Sequence, residues 1–315
     1  MSEALILAGP TATGKTAVAN EIARRTGALV LSADSMLVYR GMDIGTAKPA
    51  PAELRGIDFR GADLAAPDEE FNAWRWLEAA RAAFADAEKT ARPVIVAGGT
   101  GLYINALARG LDAPAPPAPG LRAELENLLA EGGAPALFAR AEALSPGAAA
   151  GLSDPRNPRR LIRLIERLET GAAPPSPPRA TCDFSCAATP AAGLDAPPEI
   201  LAARIQQRAE KMFRDGLLDE AAALRSRYPE FSRTAGKGIG YAEALAVLDG
   251  GISVEEAIEK TALRTRQLAK RQRAWFRRQL AVEWTASPAD ETDVARAAAE
   301  IEKIWRRNGS AKTAL

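Results

Sequence analysis

Eight residues near the start of the chain carry the clearest chemistry. Gly9-Pro10-Thr11-Ala12-Thr13-Gly14-Lys15-Thr16 reads G-x-x-x-x-G-K-T. Glycines let backbone N–H groups turn inward around an anion, a following helix N-terminus adds partial positive charge, and Lys15 adds a full one. The Thr16 hydroxyl is the type of group that reaches a Mg2+ ion at such a loop. The flanks fit. Ala4 to Ala8 is an apolar run of buried-strand type, and Thr16 to Arg25 has Val18 and Ile22 four apart with Gly27 as a stop. Strand, glycine loop and helix together mark a nucleotide- or diphosphate-binding loop, ATP among its possible occupants, without saying what is done with the phosphates.

A carboxylate follows the next apolar run. Ala28 to Ser32 closes in Ser32-Ala33-Asp34-Ser35. Ligands of open parallel sheets bind at the carboxyl ends of strands, where Asp34 would serve as a general base or a metal-linked carboxylate. Asp and Ser also favour turns and helix caps, so a local structural role stays open. The chain has no histidine, and acid–base work must fall to Asp, Glu, Lys or Tyr. Tyr39-Arg40-Gly41-Met42-Asp43-Ile44-Gly45-Thr46-Ala47-Lys48-Pro49 has no period and reads as an ordered loop. Pro93 to Ala97 is a third buried strand, followed at once by Gly98-Gly99-Thr100-Gly101-Leu102-Tyr103. This second glycine turn suits either close approach of a ligand or a tight strand-to-helix turn.

Helices must supply the rest. Glu69 to Lys89 spaces Phe71, Trp74, Leu77 and Phe84 for one face. Two proline-rich stretches, Asp112 to Gly120 and Ala172 to Arg179, bracket a helical stretch over 121–171 and mark it as an insertion. Its last helix carries Arg159, Arg160 and Arg163 after Arg156, as a solvated face or a phosphate-contacting one. A weak strand candidate lies near Phe184 to Ala188. Pro198 to Arg227 reads as one long helical pattern, and a Gly238-Ile239-Gly240-Tyr241 turn follows. Ser253 with Glu256 forms a capping box that opens a helix to Gln279. Arg264, Arg266, Lys270, Arg271, Arg273, Arg277 and Arg278 crowd the end of that helix, with Trp275 and Phe276 among them. This is the footprint of a nucleic-acid backbone contact, or else a basic helix packed on the protein's own carboxylates.

The bulk numbers allow a sizeable core, and its richness in alanine favours helices. A length of 315 residues suggests about two domains, or one large domain with an insertion, and the net charge of +1 implies no partner by itself. Cys182 and Cys186 are the only cysteines, which excludes a disulfide framework and argues against a zinc site. No stretch reads as a signal peptide or reaches transmembrane length, so the expectation is a cytoplasmic protein with no membrane partner, acting as a monomer.

The strings together resemble the tRNA dimethylallyltransferase family of bacterial type, over about the first 285 residues. The carriers are the 9–16 loop, Ser32-Ala33-Asp34-Ser35, the Tyr39–Pro49 string, Gly98 to Tyr103, the Arg159–Glu166 helix, Gly240-Tyr241, and Ala269-Lys270-Arg271-Gln272 with Trp275-Phe276-Arg277. The phosphate loop is shared with kinases; the second and third strings are far more specific. The resemblance implies a P-loop NTPase-like parallel sheet flanked by helices. The core would comprise 1–112 and 180–290, the helical insertion 113–179, and a C-terminal helix and tail 291–315. It further implies transfer of a dimethylallyl group from dimethylallyl diphosphate to the exocyclic amine of the adenine next to the anticodon in tRNA, with that base flipped from its stack and diphosphate released.

By the same resemblance, Gly9 to Thr16 hold the diphosphate, with Mg2+ at Thr16, and Asp34 is the general base. Thr11 and Arg208 act in catalysis, Arg208 on the diphosphate. The tRNA is gripped by Asp34, Ser35, Met36, Leu37, Thr100, Arg122, Arg159, Arg160, Arg163, Lys237, Gly240, Tyr241, Lys270, Arg271, Gln272, Trp275 and Arg277. The chain departs from the family where Phe59-Arg60 replace a usual His-His pair, and residues 180–197 align loosely. The alternatives are a P-loop small-molecule or nucleotide kinase, an adenylate prenyltransferase acting on free nucleotide, and a catalytically idle RNA-binding protein. The basic 264–278 stretch argues against the first two, and intact Lys15, Thr16 and Asp34 against the third.

Overall fold

A computed structural model describes residues 3–111, 118–171 and 189–310. Both cysteines, the strand candidate near Phe184 to Ala188 and most of the two proline-rich stretches lie outside these. The chain divides into two compact units, Met1–Ala108 with Cys182–Leu315, and Arg109–Thr181.

The larger unit is built on a six-stranded sheet. Its strands are β1 (Ala4–Ala8), β2 (Leu29–Ser32), β3 (Phe59–Arg60), β4 (Val94–Ala97), β5 (Ala191–Asp195) and β6 (Val282–Ala286), in the order β3-β2-β4-β1-β5-β6. Every neighbouring pair runs parallel. Strands buried on both faces need continuous apolar runs rather than alternation, as in Leu5-Ile6-Leu7 and Val94-Ile95-Val96. Leu5, Leu7, Val30, Ile95 and Leu194 form one buried cluster with Val18 and Ile22 of α1 (Lys15–Thr26). Residues 291–315, set apart in the sequence reading, supply α10 (Glu291–Ser310), whose Ala297, Ala298, Ile301 and Trp305 are buried in the same cluster. By alternation Ile6, Leu29, Leu31 and Val96 turn to the opposite face. On α2 (Ala73–Lys89), Trp76 is fully buried, donates its indole N–H to the Ser32 carbonyl at 2.9 Å and stacks on Tyr103 of α3 (Gly101–Arg109).

Several elements differ from the sequence reading. Helix α2 starts at Ala73 rather than Glu69, because the Asn72 side chain accepts the first free backbone N–H groups. Pro198 to Arg227 is two helices, α6 (Pro198–Arg214) and α7 (Leu217–Arg227). Gly216 stands between them at φ 103°, a left-handed conformation that no helix interior takes. Strand β3 and helix α8 (Tyr241–Leu248) carried too short a period to be read. The capping box of Ser253 and Glu256 is present, and α9 runs over Val254–Gln279.

The smaller unit holds α4 (Leu121–Leu144), broken at Gly133 and followed there by Pro135, and α5 (Pro158–Glu169). Leu121, Leu125, Leu137, Leu161, Ile162, Leu164 and Ile165 form its core. Among the described residues no helix is long and apolar enough to cross a membrane.

Candidate active site

The carboxyl edge of the sheet collects the site. The 9–14 loop follows β1, Asp34 follows β2, the second glycine turn follows β4, Asp195 ends β5 and Ser287 follows β6. Short bonds tie these turns together. Ala33 N–H donates to the Ala97 carbonyl at 2.8 Å, Thr100 N–H donates to the Ala33 carbonyl at 3.0 Å, and Ser35 N–H donates to the Thr100 hydroxyl at 3.0 Å. Thr100, read as a substrate contact, therefore also fixes the Asp34 turn. Gly98 and Gly99 have a packing role, and Gly98 also lines the cavity described below. A Cβ on Gly98 would lie 2.2 Å from the Ala33 carbonyl oxygen, and one on Gly99 2.2 Å from the Gln272 amide.

The anion loop is braced from inside. The Thr13 hydroxyl and the Lys15 ammonium both donate to the Pro10 carbonyl, at 2.9 and 2.7 Å. Ser287 donates to the Thr13 carbonyl, and Arg204 donates to Ser287 and to the Pro288 carbonyl. Gly9 and Gly14 take φ of 145° and 76°, and Ala12 takes 65° without glycine's freedom.

A cavity of about 370 Å3 opens above the loop. Thr11, Gly14, Lys15, Thr16, Asp34 and Arg208 all line it. Burial lowers the Lys15 ammonium to about 8; Asp34 pulls it back up and Arg208 pushes it further down. Burial also lowers Arg208, with Asp34 opposing. Arg208 donates one N–H to the Thr46 carbonyl at 3.0 Å, while its buried Nε has no partner among the described residues. Two largely desolvated cations thus share one space with Asp34 as counter-charge, an arrangement able to hold an anion. Asp34 accepts the Met36 N–H at 2.9 Å on one oxygen, so the turn-cap role is present beside any chemical one. A recess of about 90 Å3 adjoins at Thr11, Asp34 and Arg208, and Met36, Ile205, Ala209, Met212 and Leu268 give it apolar walls.

Residues 46–49 line the same cavity as the anion loop, and the anchors of the 43–49 loop escaped the sequence reading. Lys48, only 9% exposed at its side chain, reaches Asp43 at 2.6 Å, Asp63 at 2.7 Å and the Tyr39 carbonyl at 2.9 Å. Glu220 accepts from the Asp43 and Ile44 N–H groups and from the Tyr241 hydroxyl, which itself accepts from Gly45 N–H. Tyr241 is wholly buried, and burial with the Glu220 contact raises its phenol far above the usual range. Its side chain positions a loop and is closed to RNA. Gly240 is buried too and donates its N–H to Glu243.

The basic helix divides between its two readings. Arg264 pairs with buried Glu243, Arg273 holds Asp195 at 2.6 Å, and Arg277 reaches Asp195 at 3.1 Å. Lys237, Lys270 and Arg271 are exposed. Gln272 is spent internally: its carbonyl oxygen accepts the Thr11 N–H at 2.8 Å and its amide donates to the Gly99 carbonyl at 3.0 Å. Trp275 lies against Gly101, where a Cβ would come within 2.4 Å of the indole. Leu37 is buried, while Ser35 and Met36 are partly open. In the smaller unit Arg122 and Arg163 reach Glu166, 2% exposed, at 2.6 and 3.3 Å; Arg159 and Arg160 are exposed, and Arg160 donates to Ser153.

The family model described as IPP transferase matches residues 37–279. The chain belongs to the IPP transferase family. A second model, described as Isopentenyl transferase, matches residues 2–60. A protein named tRNA dimethylallyltransferase from Anaeromyxobacter sp. (strain Fw109-5) is 41% identical, over 94% of this chain and 98% of that protein. The crystal structure of a full-length tRNA isopentenylpyrophosphate transferase from Bacillus halodurans superposes with a TM-score of 0.71 at 30% identity, covering 99% of this chain and 100% of that one. A eukaryotic dimethylallyltransferase acting on tRNA shares the fold at 24% identity, with a TM-score of 0.75 over 91% of this chain and 74% of its own.

Phe59 and Arg60, the two residues of β3, both have structural partners. Phe59 packs against the main core cluster and lines a third cavity, of about 840 Å3, and Arg60 pairs with Asp58 at 2.5 Å.

Proposed function

We propose that this IPP transferase moves a dimethylallyl group from dimethylallyl diphosphate to the exocyclic amine of the adenine next to the anticodon of a tRNA. One observation carries the reading: a single cavity joins the anion loop, the Lys15–Arg208 cation pair and Asp34, with an apolar recess beside them. The diphosphate suits the cations, and a branched five-carbon chain suits the recess. The amine nitrogen forms its bond to the allylic carbon as the carbon–oxygen bond breaks, and the bonding pair leaves with the diphosphate. The surplus proton on nitrogen passes to Asp34. Lys15, Arg208 and the loop amides stabilise the charge that collects on the leaving group.

Mg2+ fits the donor set. Thr16 and Asp34 are oxygen donors on the cavity wall, and this ion is commonly held by few protein groups together with phosphate and water. Thr16 would hold it, and it would supply further neutralisation of the diphosphate. The exposed Lys237, Lys270, Arg271, Arg159 and Arg160 are the RNA contacts of this reading.

The test is incubation with labelled dimethylallyl diphosphate and Mg2+ together with tRNA, AMP or no acceptor. Label should pass to tRNA. Passage to AMP alone would overturn the tRNA assignment, and failure to label either would overturn the transfer itself.

A further inference from the structure

Gln272 lies on the basic helix between Arg271 and Arg273, where the sequence invites reading it as one more RNA contact. Its side chain faces inward instead. Thr11 N–H donates to its oxygen at 2.8 Å, and its nitrogen donates to the Gly99 carbonyl at 3.0 Å. These partners are 261 and 173 residues away along the chain. They also dictate the residue type. One partner is a donor and the other an acceptor, so the bridging group must accept at one atom and donate at the other. A carboxylate cannot donate, and an ammonium cannot accept. The fit leaves no slack, since a Cβ on Gly99 would lie 2.2 Å from the Gln272 nitrogen.

The bridge acts on the strained part of the anion loop. Ala12, next to Thr11, holds φ 65°, a conformation that disfavours a residue with a Cβ and persists where surroundings over-determine it. The surroundings are α6 and α9. Ala12 packs against a cluster of Ile205 and Ala209 from α6 with Ala262 and Ala269 from α9. Gln272 clamps the neighbouring amide one turn further along α9, and Trp275 covers Gly101 one turn beyond that. The helix that carries exposed Lys270 and Arg271 on its outside therefore holds both glycine turns on its inside.

We propose that Gln272 is a positioning residue of the donor site: it sets the Thr11–Ala12 segment of the anion loop in register with the Gly99 turn, and it does not contact RNA. The inference rests on the reading of the 9–16 loop as the diphosphate site. It makes donor binding depend on a residue of the RNA-side helix, without any phosphate of the tRNA touching that residue.

Gln272→Met keeps the length of the side chain and removes both bonds. The first measurement is calorimetric binding of inorganic diphosphate with Mg2+, with no tRNA present. Wild type should bind, and Gln272→Met should bind about tenfold more weakly, the loss expected when a bond of about 1.4 kcal/mol is removed. In transfer assays the KM for the allyl donor should rise more than kcat falls. The affinity for tRNA and its salt dependence should stay as in wild type. A wild type that fails to bind diphosphate overturns the donor-loop reading and this inference with it. Wild-type binding with an unchanged Gln272→Met constant overturns the inference alone, whether the variant loses only thermal stability or also loses tRNA affinity and salt slope. Should the variant not fold, hydrogen exchange in the unaltered protein decides: a Thr11 amide protected from exchange supports the bridge, and one exchanging at the open-loop rate overturns it.

Discussion

Lys15 and Arg208 share a cavity with Asp34 as their counter-charge, whereas Arg264, Arg273 and Arg277 on α9 each close on a carboxylate of the protein itself. The first pair is desolvated and under-compensated, so it stands ready for an anion. The second group is spent on the fold, three arginines closing on the two carboxylates of Glu243 and Asp195. Counting cations along the sequence makes α9 the stronger anion site and the 9–16 loop a one-lysine site. Counting desolvated cations reverses that order, since the Lys270 and Arg271 that α9 leaves unpaired are exposed to water. Binding capacity follows the charge left over after the fold has used what it needs.

The largest effect tests the compensating carboxylate. Asp34→Asn should lower transfer by about 10²–10⁴-fold, the usual contribution of a positioned base. Removing its charge leaves Lys15 and Arg208 with less to offset them, so diphosphate should bind as tightly as in wild type or more tightly. Single-turnover transfer measured beside calorimetric diphosphate binding separates the two. Near-wild-type turnover would remove Asp34 as the base, and weaker diphosphate binding would break the account of the cavity as cation-rich.

Lys15 comes next. Lys15→Ala should weaken diphosphate binding by about 10²-fold, as loss of a preorganised charge contact typically does. The lowered pKa of about 8 also sets a pH dependence. Bound diphosphate favours the charged ammonium, so binding takes up protons above about pH 8 and wild-type affinity falls as pH rises through that value. The same shift makes the empty site a burden on folding. With a folded pKa below the ordinary 10.5, holding the proton disfavours the folded state at pH 7, and the penalty fades between about 8 and 10.5. Ligand-free Lys15→Ala should therefore be the more stable protein at pH 7, with its advantage shrinking toward pH 10. Denaturant unfolding across that range checks it, and a variant less stable at pH 7 would show Lys15 to be neutralised within the fold.

This contrast explains what the sequence did and did not disclose. The G-x-x-x-x-G-K-T loop, Asp34 and the parallel α/β plan were legible because local chemistry dictates them: glycines where φ must turn positive, apolar runs where strands are covered twice. The capping box of Ser253 was legible for the same reason. Arg208 could be named only through a family resemblance, since nothing near it in the chain marks it for the cavity. Tyr241 and Gln272 were placed on the RNA by the family resemblance alone. Their partners, Glu220, Gly45, Thr11 and Gly99, are distant in sequence, so only the fold shows that both side chains face inward. Lys48 was missed although it lies in the most specific string, because spacing does not reveal that it bridges Asp43 and Asp63.

The smallest effect separates two neighbouring arginines. Arg271 is exposed, while Arg273 is partly buried on Asp195, which is 16% exposed at its side chain. If the charge left over is what binds RNA, Arg271→Ala should weaken tRNA binding about three- to tenfold and reduce the slope of log affinity against log salt by about 0.7–0.9, the release of one counterion. Its unfolding curve should match wild type. Arg273→Ala should do the opposite. It leaves Asp195 with Arg277 alone, so stability should drop by about 1–3 kcal/mol while the salt slope holds. Salt titrations of tRNA binding and urea unfolding on both variants make the comparison direct. A slope that falls equally in the two variants would mean that Arg273 exchanges Asp195 for a tRNA phosphate when RNA binds, and the division between compensated and available charge on α9 would then hold only for the RNA-free protein.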